Sequence, residues 1–187
     1  PTAITEFPYS VLVHAEAEKV FTATNTNVIL IKHANAYVIY GGNKYEAVDG
    51  VVCVPVEGET VTFTVGNNAD ANKTFKIENE YPLGTEQNPI TINDSAELTS
   101  VTAAAGKETY YAINSMLNGN ILTIAGAEGL TVSLNGTELT ANEEDLYVAE
   151  LNGAPVNMLI VTNAGEEAIE TVAAIAAPLG PEQNPII

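Results

Sequence analysis

Hydrophobic and polar residues alternate along much of this chain in short runs. In residues 60–65 the apolar Val61, Phe63 and Val65 take every second position, so they share one face of an extended strand. Runs rich in Val, Ile, Thr and Tyr recur about every 8–12 residues, a spacing typical of all-β proteins. In the first half they fall at 9–14, 20–24, 28–32, 37–40, 51–56, 60–65 and 74–78.

Turn residues separate these runs. Gly41-Gly42-Asn43 and Asp49-Gly50 lie in the first half, and Asn135-Gly136 and Asn152-Gly153 lie in the second. Such pairs favour type I′ hairpin turns, which require positive φ at both central positions. Seven short strands in about 95 residues predict an immunoglobulin-like β-sandwich.

The chain repeats itself. Residues 82–90 and 178–186 match at eight of nine positions, 96 residues apart, and residues 18–23 parallel 107–112 at an offset of 89. We therefore predict two tandem β-sandwich modules, 1–88 and 89–187, with a short Pro-containing joint. The growing offset places about seven extra residues between Asn114 and Val161.

Two segments rich in alanine are ambiguous. Residues 166–177 taken alone fit a helix, but their repeat partner, 70–81, alternates as a strand does, so we predict a strand. Residues 101–106 raise the same doubt, because alanine has a weak β preference.

The net charge of the chain limits the classes of partner that it can bind. There are 24 acidic residues against 6 lysines and no arginine, so the net charge is −18. This argues against nucleic acid and anionic membranes as partners and favours a neutral or cationic ligand. No apolar run approaches the roughly 20 residues of a membrane helix. Since the chain begins at Pro1, we expect a processed protein or a fragment, monomeric within a longer multidomain chain.

No segment carries a catalytic signature. Glu143-Glu144-Asp145 are neighbours and cannot face each other across a glycosidic bond, and no nucleophile motif or phosphate loop occurs. We therefore expect no enzyme, no catalytic residues and no cofactor. Cys53 lies in an apolar run, so we expect a buried thiol.

Metal binding has little support either. Two histidines, His14 and His33, are too few for a typical catalytic zinc site. Asn68-x-Asp70-x-Asn72 begins like a calcium loop but has Lys73 where such a loop needs glycine. A polar hairpin turn is the favoured interpretation, a weak calcium site is the alternative, and we predict no metal site.

Aromatic residues indicate a ligand site. Nine of the twelve lie in the first module, and residues 37–45 hold three tyrosines around a hairpin tip with Asn and Lys. A flat ring stacks on the apolar face of a sugar while amides and ammonium groups bind its hydroxyls. The predicted ligand-binding residues are Tyr37, Tyr40, Asn43, Lys44, Tyr45 and, beside the joint, Tyr81.

The repeated Pro-Leu-Gly-x-Glu-Gln-Asn-Pro-Ile and the acidic, Asn/Thr/Ala-rich tandem copies resemble modules of secreted cell-surface proteins from gut Gram-positive bacteria. They are most similar to the bilobed domains of starch-adherence proteins in amylosomes. That resemblance implies extracellular, cell-surface localisation and a groove for α-1,4-linked glucan, although this chain has no Trp for stacking. It assigns no binding residue.

Two functions compete. The leading one is a non-catalytic carbohydrate-binding module for a neutral polysaccharide or oligosaccharide, with α-glucan favoured. The other is a structural spacer or adhesin stalk. A binder predicts adjacent tyrosines in a surface groove, whereas a spacer predicts tyrosines buried in the fold.

Overall fold

The structure is a computed structural model that describes residues 1–93, 98–114 and 119–177. It divides into two compact units, Pro1–Pro82 and Leu83–Ile187. None of the described residues forms a helix that is long and apolar enough to cross a membrane. The repeated segment at 178–186 lies outside the described residues.

Unit 1 contains nine strands in two sheets. They are β1 (Thr2–Ile4), β2 (Tyr9–Val13), β3 (Glu18–Thr24), β4 (Val28–Ile31), β5 (Ala36–Tyr40), β6 (Asn43–Glu46), β7 (Val52–Pro55), β8 (Thr60–Asn67) and β9 (Lys73–Glu78). One sheet has the order β1-β3-β8-β5-β6 and the other β2-β9-β4-β7.

Unit 2 repeats this plan over its described residues. Its strands are β10 (Ile90–Asn93), β11 (Thr99–Ala103), β12 (Glu108–Asn114), β13 (Ile121–Ala125), β14 (Leu130–Leu134), β15 (Thr137–Glu138), β16 (Leu146–Glu150), β17 (Asn157–Asn163) and β18 (Ile169–Ala176). The sheets are β10-β12-β17-β14-β15 and β11-β18-β13-β16. Both alanine-rich segments contain strands, β11 and β18, as the repeat predicted for the second.

The predicted all-β class with two β-sandwiches is confirmed, and the connectivity refines the immunoglobulin-like description. Strand pairs in unit 1 are nested: β2 with β9, β3 with β8, β4 with β7 and β5 with β6. An immunoglobulin domain instead orders its strands ABED and CFG. Nested antiparallel pairs form when one long hairpin wraps around a core, which is the jelly-roll arrangement. This order arises from contacts between strands distant in sequence, so local patterns do not specify it.

The two cores differ in their side chains. In unit 1 the rings of Phe21 and Phe63 stack with centroids 5.8 Å apart, and Phe75 is fully buried. Tyr111 takes the place of Phe21 in unit 2, and it pairs with Leu159 where Phe21 pairs with Phe63.

The structural offset between the two units at this strand is thus 90 residues, which corrects the offset of 89 expected from the sequence. At 89, the buried Phe21 would match Tyr110, which faces the other side of the strand.

Each sandwich has a buried asparagine at the end of one strand, β8 or β17, and the two asparagines make equivalent hydrogen bonds. Asn67 donates through its amide to the carbonyl oxygens of Val13 and Ala71, and its side-chain oxygen accepts from the N–H of Ala69. Asn163, 96 residues later, does the same with Ala103, Glu167 and Gly165. These bonds join the end of one sheet to a strand of the facing sheet and to the loop that follows. The offset therefore grows from 90 at β12 to 96 at β17, which confirms extra residues between Asn114 and Val161.

Candidate functional site

The tyrosine-rich segment forms the predicted hairpin of β5 and β6. Gly41 and Gly42 form its two-residue turn, with φ of 59° and 82°, values that favour glycine. Beyond the turn, Asn43 pairs with Tyr40 and Lys44 with Ile39. Asn43 is exposed at the start of β6. Because successive side chains alternate between the two faces of a strand, the three tyrosines have different surroundings.

Tyr37 lies on the outer face of its sheet, yet only 8% of its surface is exposed. Its cross-strand partner on β8 is Gly66, and a Cβ at Gly66 would overlap the Tyr37 ring. The ring therefore lies over the bare glycine backbone. Its hydroxyl donates a 2.7 Å hydrogen bond to Oε1 of Glu18 on β3, the strand beyond β8.

These surroundings raise the pKa of Tyr37 to about 12, first through burial and then through the hydrogen bond to the Glu18 carboxylate. Both effects disfavour the phenolate. The phenol thus stays protonated at neutral pH and is held as a donor to Glu18.

Lys44 is held against the same ring. Its Nζ lies 4.1 Å from the centroid of the Tyr37 ring and 3.5 Å from Oε1 of Glu46. A cation over an aromatic face is attracted by the ring quadrupole. Half of the lysine side chain, 50%, remains exposed to solvent, so the ammonium group can meet a ligand.

Tyr40 faces the core side and is engaged by its own fold. Its hydroxyl donates to the carbonyl oxygen of Glu57 at 3.1 Å and accepts from the N–H of the same residue at 3.0 Å. Its ring packs against the core of unit 1. The hydroxyl therefore joins the hairpin to the loop before β8.

Tyr45 lines a groove of about 490 Å³, hereafter the β6–β7 groove. Strand β6 ends one sheet and β7 ends the other, so the groove lies at an open side of the sandwich. Its lining residues are Lys44, Tyr45, Glu46, Val48, Val51 and Cys53. Tyr45 is half-buried and Val48 is 73% exposed. Tyr45 pairs with the buried Val38 and faces the core side of β6, whereas the Lys44 and Glu46 side chains lie on the outer face with Tyr37.

Cys53 corrects an expectation, because its side chain is exposed rather than buried. It lies between the buried Val52 and Val54 on the edge strand β7, so alternation turns it to the opposite face. Partial burial nevertheless raises the pKa of the thiol. This lowers the thiolate fraction at neutral pH and makes Cys53 a poor nucleophile.

Tyr81 lies apart from the hairpin in the sequence, after β9, and is not among the residues lining the β6–β7 groove. It is half-buried.

The structure brings five of the predicted residues together in one hairpin: Tyr37, Tyr40, Asn43, Lys44 and Tyr45. Of these, only Lys44 and Tyr45 line the groove. Sequence reasoning missed Glu46, Val48, Val51 and Cys53 as lining residues. The position of Glu46 beside three predicted residues was the available signal.

The other polar motifs serve local structure. Asn68 accepts from Asn35, and Asn72 accepts from the N–H of Ala15. The Nδ1 of His33 accepts from the N–H of Asn35, and its ring meets Phe75 edge-on at 4.9 Å. Residues 143–145 are exposed before β16. Among the described residues, no three His, Cys, Asp or Glu side chains are grouped for a metal ion.

Comparisons with known proteins identify no relatives by sequence. No protein-family model matches the chain, and no curated protein matches it. The chain is similar to the CUB1-EGF-CUB2 domains of rat MASP-1, with 8% identity, a TM-score of 0.27, and coverage of 92% of this chain and 99% of that one. It is also similar to the major capsid protein P2 of bacteriophage PM2, with 10% identity, a TM-score of 0.28, and coverage of 94% and 100%. At TM-scores this low, neither match carries an argument about function.

Proposed function

We propose that this chain is a non-catalytic carbohydrate-binding module that holds a neutral α-1,4-glucan in the β6–β7 groove of unit 1. The observation that carries the proposal is the lining of the groove. The Tyr45 ring and the apolar Val48 and Val51 offer a surface for the C–H face of a glucose ring. The exposed edge of β6 offers backbone N–H and C=O groups for its hydroxyls.

Charge supports a neutral ligand. The net charge of −18 repels anionic glycans over the whole surface. Beside the groove, on the outer face of β6, the Lys44 and Glu46 side chains lie 3.5 Å apart and offset each other, so this edge attracts neither sign strongly. The choice of α-glucan among neutral polysaccharides, and the placement on a bacterial cell surface, rest on the resemblance of the repeated motif to starch-adherence modules.

Native gels containing amylopectin, dextran or xylan test the proposal. We expect retardation in amylopectin alone. Tyr45→Leu keeps apolar packing but removes the stacking ring, and it should weaken amylopectin binding about tenfold, equivalent to about 1.4 kcal/mol. The matched control is Tyr110→Leu, which removes a tyrosine from the surface of unit 2 and should leave retardation unchanged. Equal retardation of Tyr45→Leu and the unchanged protein would contradict this site.

A second candidate, a structural spacer, is favoured by one observation. Tyr37 and Tyr40 both use their hydroxyls inside the fold, on Glu18 and Glu57, as side chains that serve stability do. A spacer should migrate identically in all three gels and in a gel without polysaccharide. Unchanged mobility of the whole chain in every gel would therefore replace the binding proposal with this one.

A further inference from the structure

We propose that a polar pocket next to the β6–β7 groove, hereafter the amide pocket, binds hydroxyls of the same neutral glycan and lengthens the site along β7. This inference rests on the proposed function and deepens it. The pocket has a volume of about 460 Å³ and lies between the loop from β3 to β4 and the loop from β7 to β8. Its lining residues are Asn25, Thr26, Asn27, Val56, Glu57 and Gly58.

The amide pocket and the β6–β7 groove border the same strand. Val51 and Cys53 line the groove, whereas Val56, which follows the end of β7, lines the pocket. At about 3.3 Å per residue, Cys53 and Val56 are about 10 Å apart along the chain. Strand β7 is the edge of its sheet, and no other described strand pairs beyond it. A linear glycan that lies along β7 can therefore reach both the groove and the pocket.

Backbone hydrogen bonds hold the two loops of the pocket together. The N–H of Val56 donates to the carbonyl oxygen of Asn27 at 3.0 Å. The N–H of Asn25 donates to the carbonyl oxygen of Glu59 at 3.3 Å. Because these bonds order the walls before a ligand arrives, binding costs less conformational freedom than it would in a mobile loop.

Three side chains of the pocket are left for a ligand. Asn25, Asn27 and Glu57 are exposed, and their side chains bond to no other residue that the structure describes. Each has a backbone group that is already paired, and both backbone groups of Glu57 bond to the Tyr40 hydroxyl. Two amides and a carboxylate can donate to sugar hydroxyls and accept from them.

The lining of the amide pocket favours a neutral polyol as the ligand. Among the described residues that line it, Glu57 alone is ionisable. Its carboxylate disfavours anionic ligands and can accept hydrogen bonds from two neighbouring hydroxyls. Calcium is a poorer fit, because that ion takes about six to eight oxygen ligands and one carboxylate supplies few of them. Neighbouring hydroxyls are what each glucosyl residue of an α-1,4-glucan presents.

Unit 2 uses the corresponding side chains within its own fold. The N–H of Leu151 donates to the carbonyl oxygen of Asn120 at 2.7 Å, and by this bond Asn120 corresponds to Asn27. Asn120 is buried, with 3% of its surface exposed. Asn152, which follows Leu151, accepts through Oδ1 from the N–H of Ala154. Exposed side chains without a bond thus occur at these positions of unit 1 and not at those of unit 2.

Isothermal titration calorimetry with maltose and maltoheptaose tests the inference. Maltose is short enough to lie in the groove alone, whereas maltoheptaose can also reach the pocket. Asn27→Ala should weaken maltoheptaose binding about fivefold, the value of one hydrogen bond, and leave maltose binding unchanged. Glu57→Gln keeps the shape of the side chain and removes its charge, and it should weaken maltoheptaose binding about threefold. The matched control is Glu143→Gln on an exposed loop of unit 2, which should bind both sugars normally.

The inference is wrong if Asn27→Ala or Glu57→Gln binds maltoheptaose at full strength while Tyr45→Leu is weakened. It is also wrong if Asn27→Ala weakens both sugars equally, or if Glu143→Gln is as weak as Glu57→Gln. Circular dichroism shows whether Asn27→Ala is folded, and Glu57→Gln decides the question if it is not. Failure of the proposed function gives a different result, because the unchanged protein then binds neither sugar or Tyr45→Leu binds both normally.

Discussion

The two units have the same connectivity and different surfaces. Unit 1 carries five of the six lysines and ten of the acidic residues, a net charge of 5 − 10 = −5, and nine of the twelve aromatics. Unit 2 carries one lysine and fourteen acidic residues, a net charge of 1 − 14 = −13, and three aromatics. The nested strand pairs and the buried asparagine are shared. The jelly roll therefore needs buried apolar positions and a few buried polar bonds, and its outer faces are free to diverge.

The β5–β6 hairpin is the clearest case of divergence. In unit 1 it presents Tyr37 and Lys44 on a long, regular strand pair, β5 and β6. In unit 2, β15 has only two residues, Thr137 and Glu138. Glu108 corresponds to Glu18, and it accepts from Tyr110 on its own strand rather than from a tyrosine across the sheet. The candidate site is therefore a property of unit 1.

The largest expected effect tests what the units share. Asn67→Ala removes four hydrogen bonds and Asn163→Ala removes three. Both leave buried backbone groups without partners, so each should lower the free energy of unfolding by about 3 kcal/mol. Urea unfolding measures the loss, and hydrogen exchange of strand amides reports each unit separately. If the losses in unfolding free energy differ between the two variants by more than about 2 kcal/mol, the two asparagines do not stabilise their units equally, despite the shared geometry.

Gly66→Ala tests what distinguishes unit 1. The new Cβ would displace the Tyr37 ring, and we expect a loss of about 2 kcal/mol in the free energy of unfolding. In a Tyr37→Leu background the clash is removed and the preference of strands for alanine over glycine remains. The same change should then be neutral or stabilising by about 0.5 kcal/mol. A loss of equal size in both backgrounds, measured by denaturant titration, would mean that the ring does not set the need for glycine.

Tyr37→Phe should have the smallest effect, a loss of about 1 kcal/mol at pH 7 from the missing bond to Glu18. The folded-state pKa of about 12 is above the ordinary value of 10. The stabilisation linked to this shift is therefore complete below pH 10 and is lost as the pH rises through 12. Urea unfolding between pH 7 and pH 12 should show the gap between the two proteins closing over that window. A gap that stays constant to pH 12 would refute the assignment.

Local sequence patterns predicted much of this fold. The alternation of residues 60–65 and the glycine turn at 41–42 predicted strand β8 and the β5–β6 hairpin, because both depend on neighbours in the chain. The short strands β1 and β10 have too few alternating residues to stand out. The repeat supported a strand over residues 166–177, where composition alone favoured a helix.

The candidate site was predicted less fully, as Cys53 and Tyr37 show. In an apolar run such as 51–56, the sequence does not indicate which side chains face the core. Cys53 is exposed because β7 lies at a sheet edge with Val52 and Val54 facing inward. The sequence around Tyr37 predicts a ring at the surface. Only the pairing of β5 with β8 places Gly66 beneath the ring and Glu18 within hydrogen-bond distance of its hydroxyl.

The strands, the turns, the duplication and the strong negative charge follow from the amino-acid sequence alone, since each depends on residues near one another in the chain or on their sum. The nested strand order, the β6–β7 groove and the partners of each tyrosine arise only when the strands pack together. Those features depend on pairing between strands as far apart as β3 and β8, and a shift of one residue in that pairing would turn every side chain to the other face.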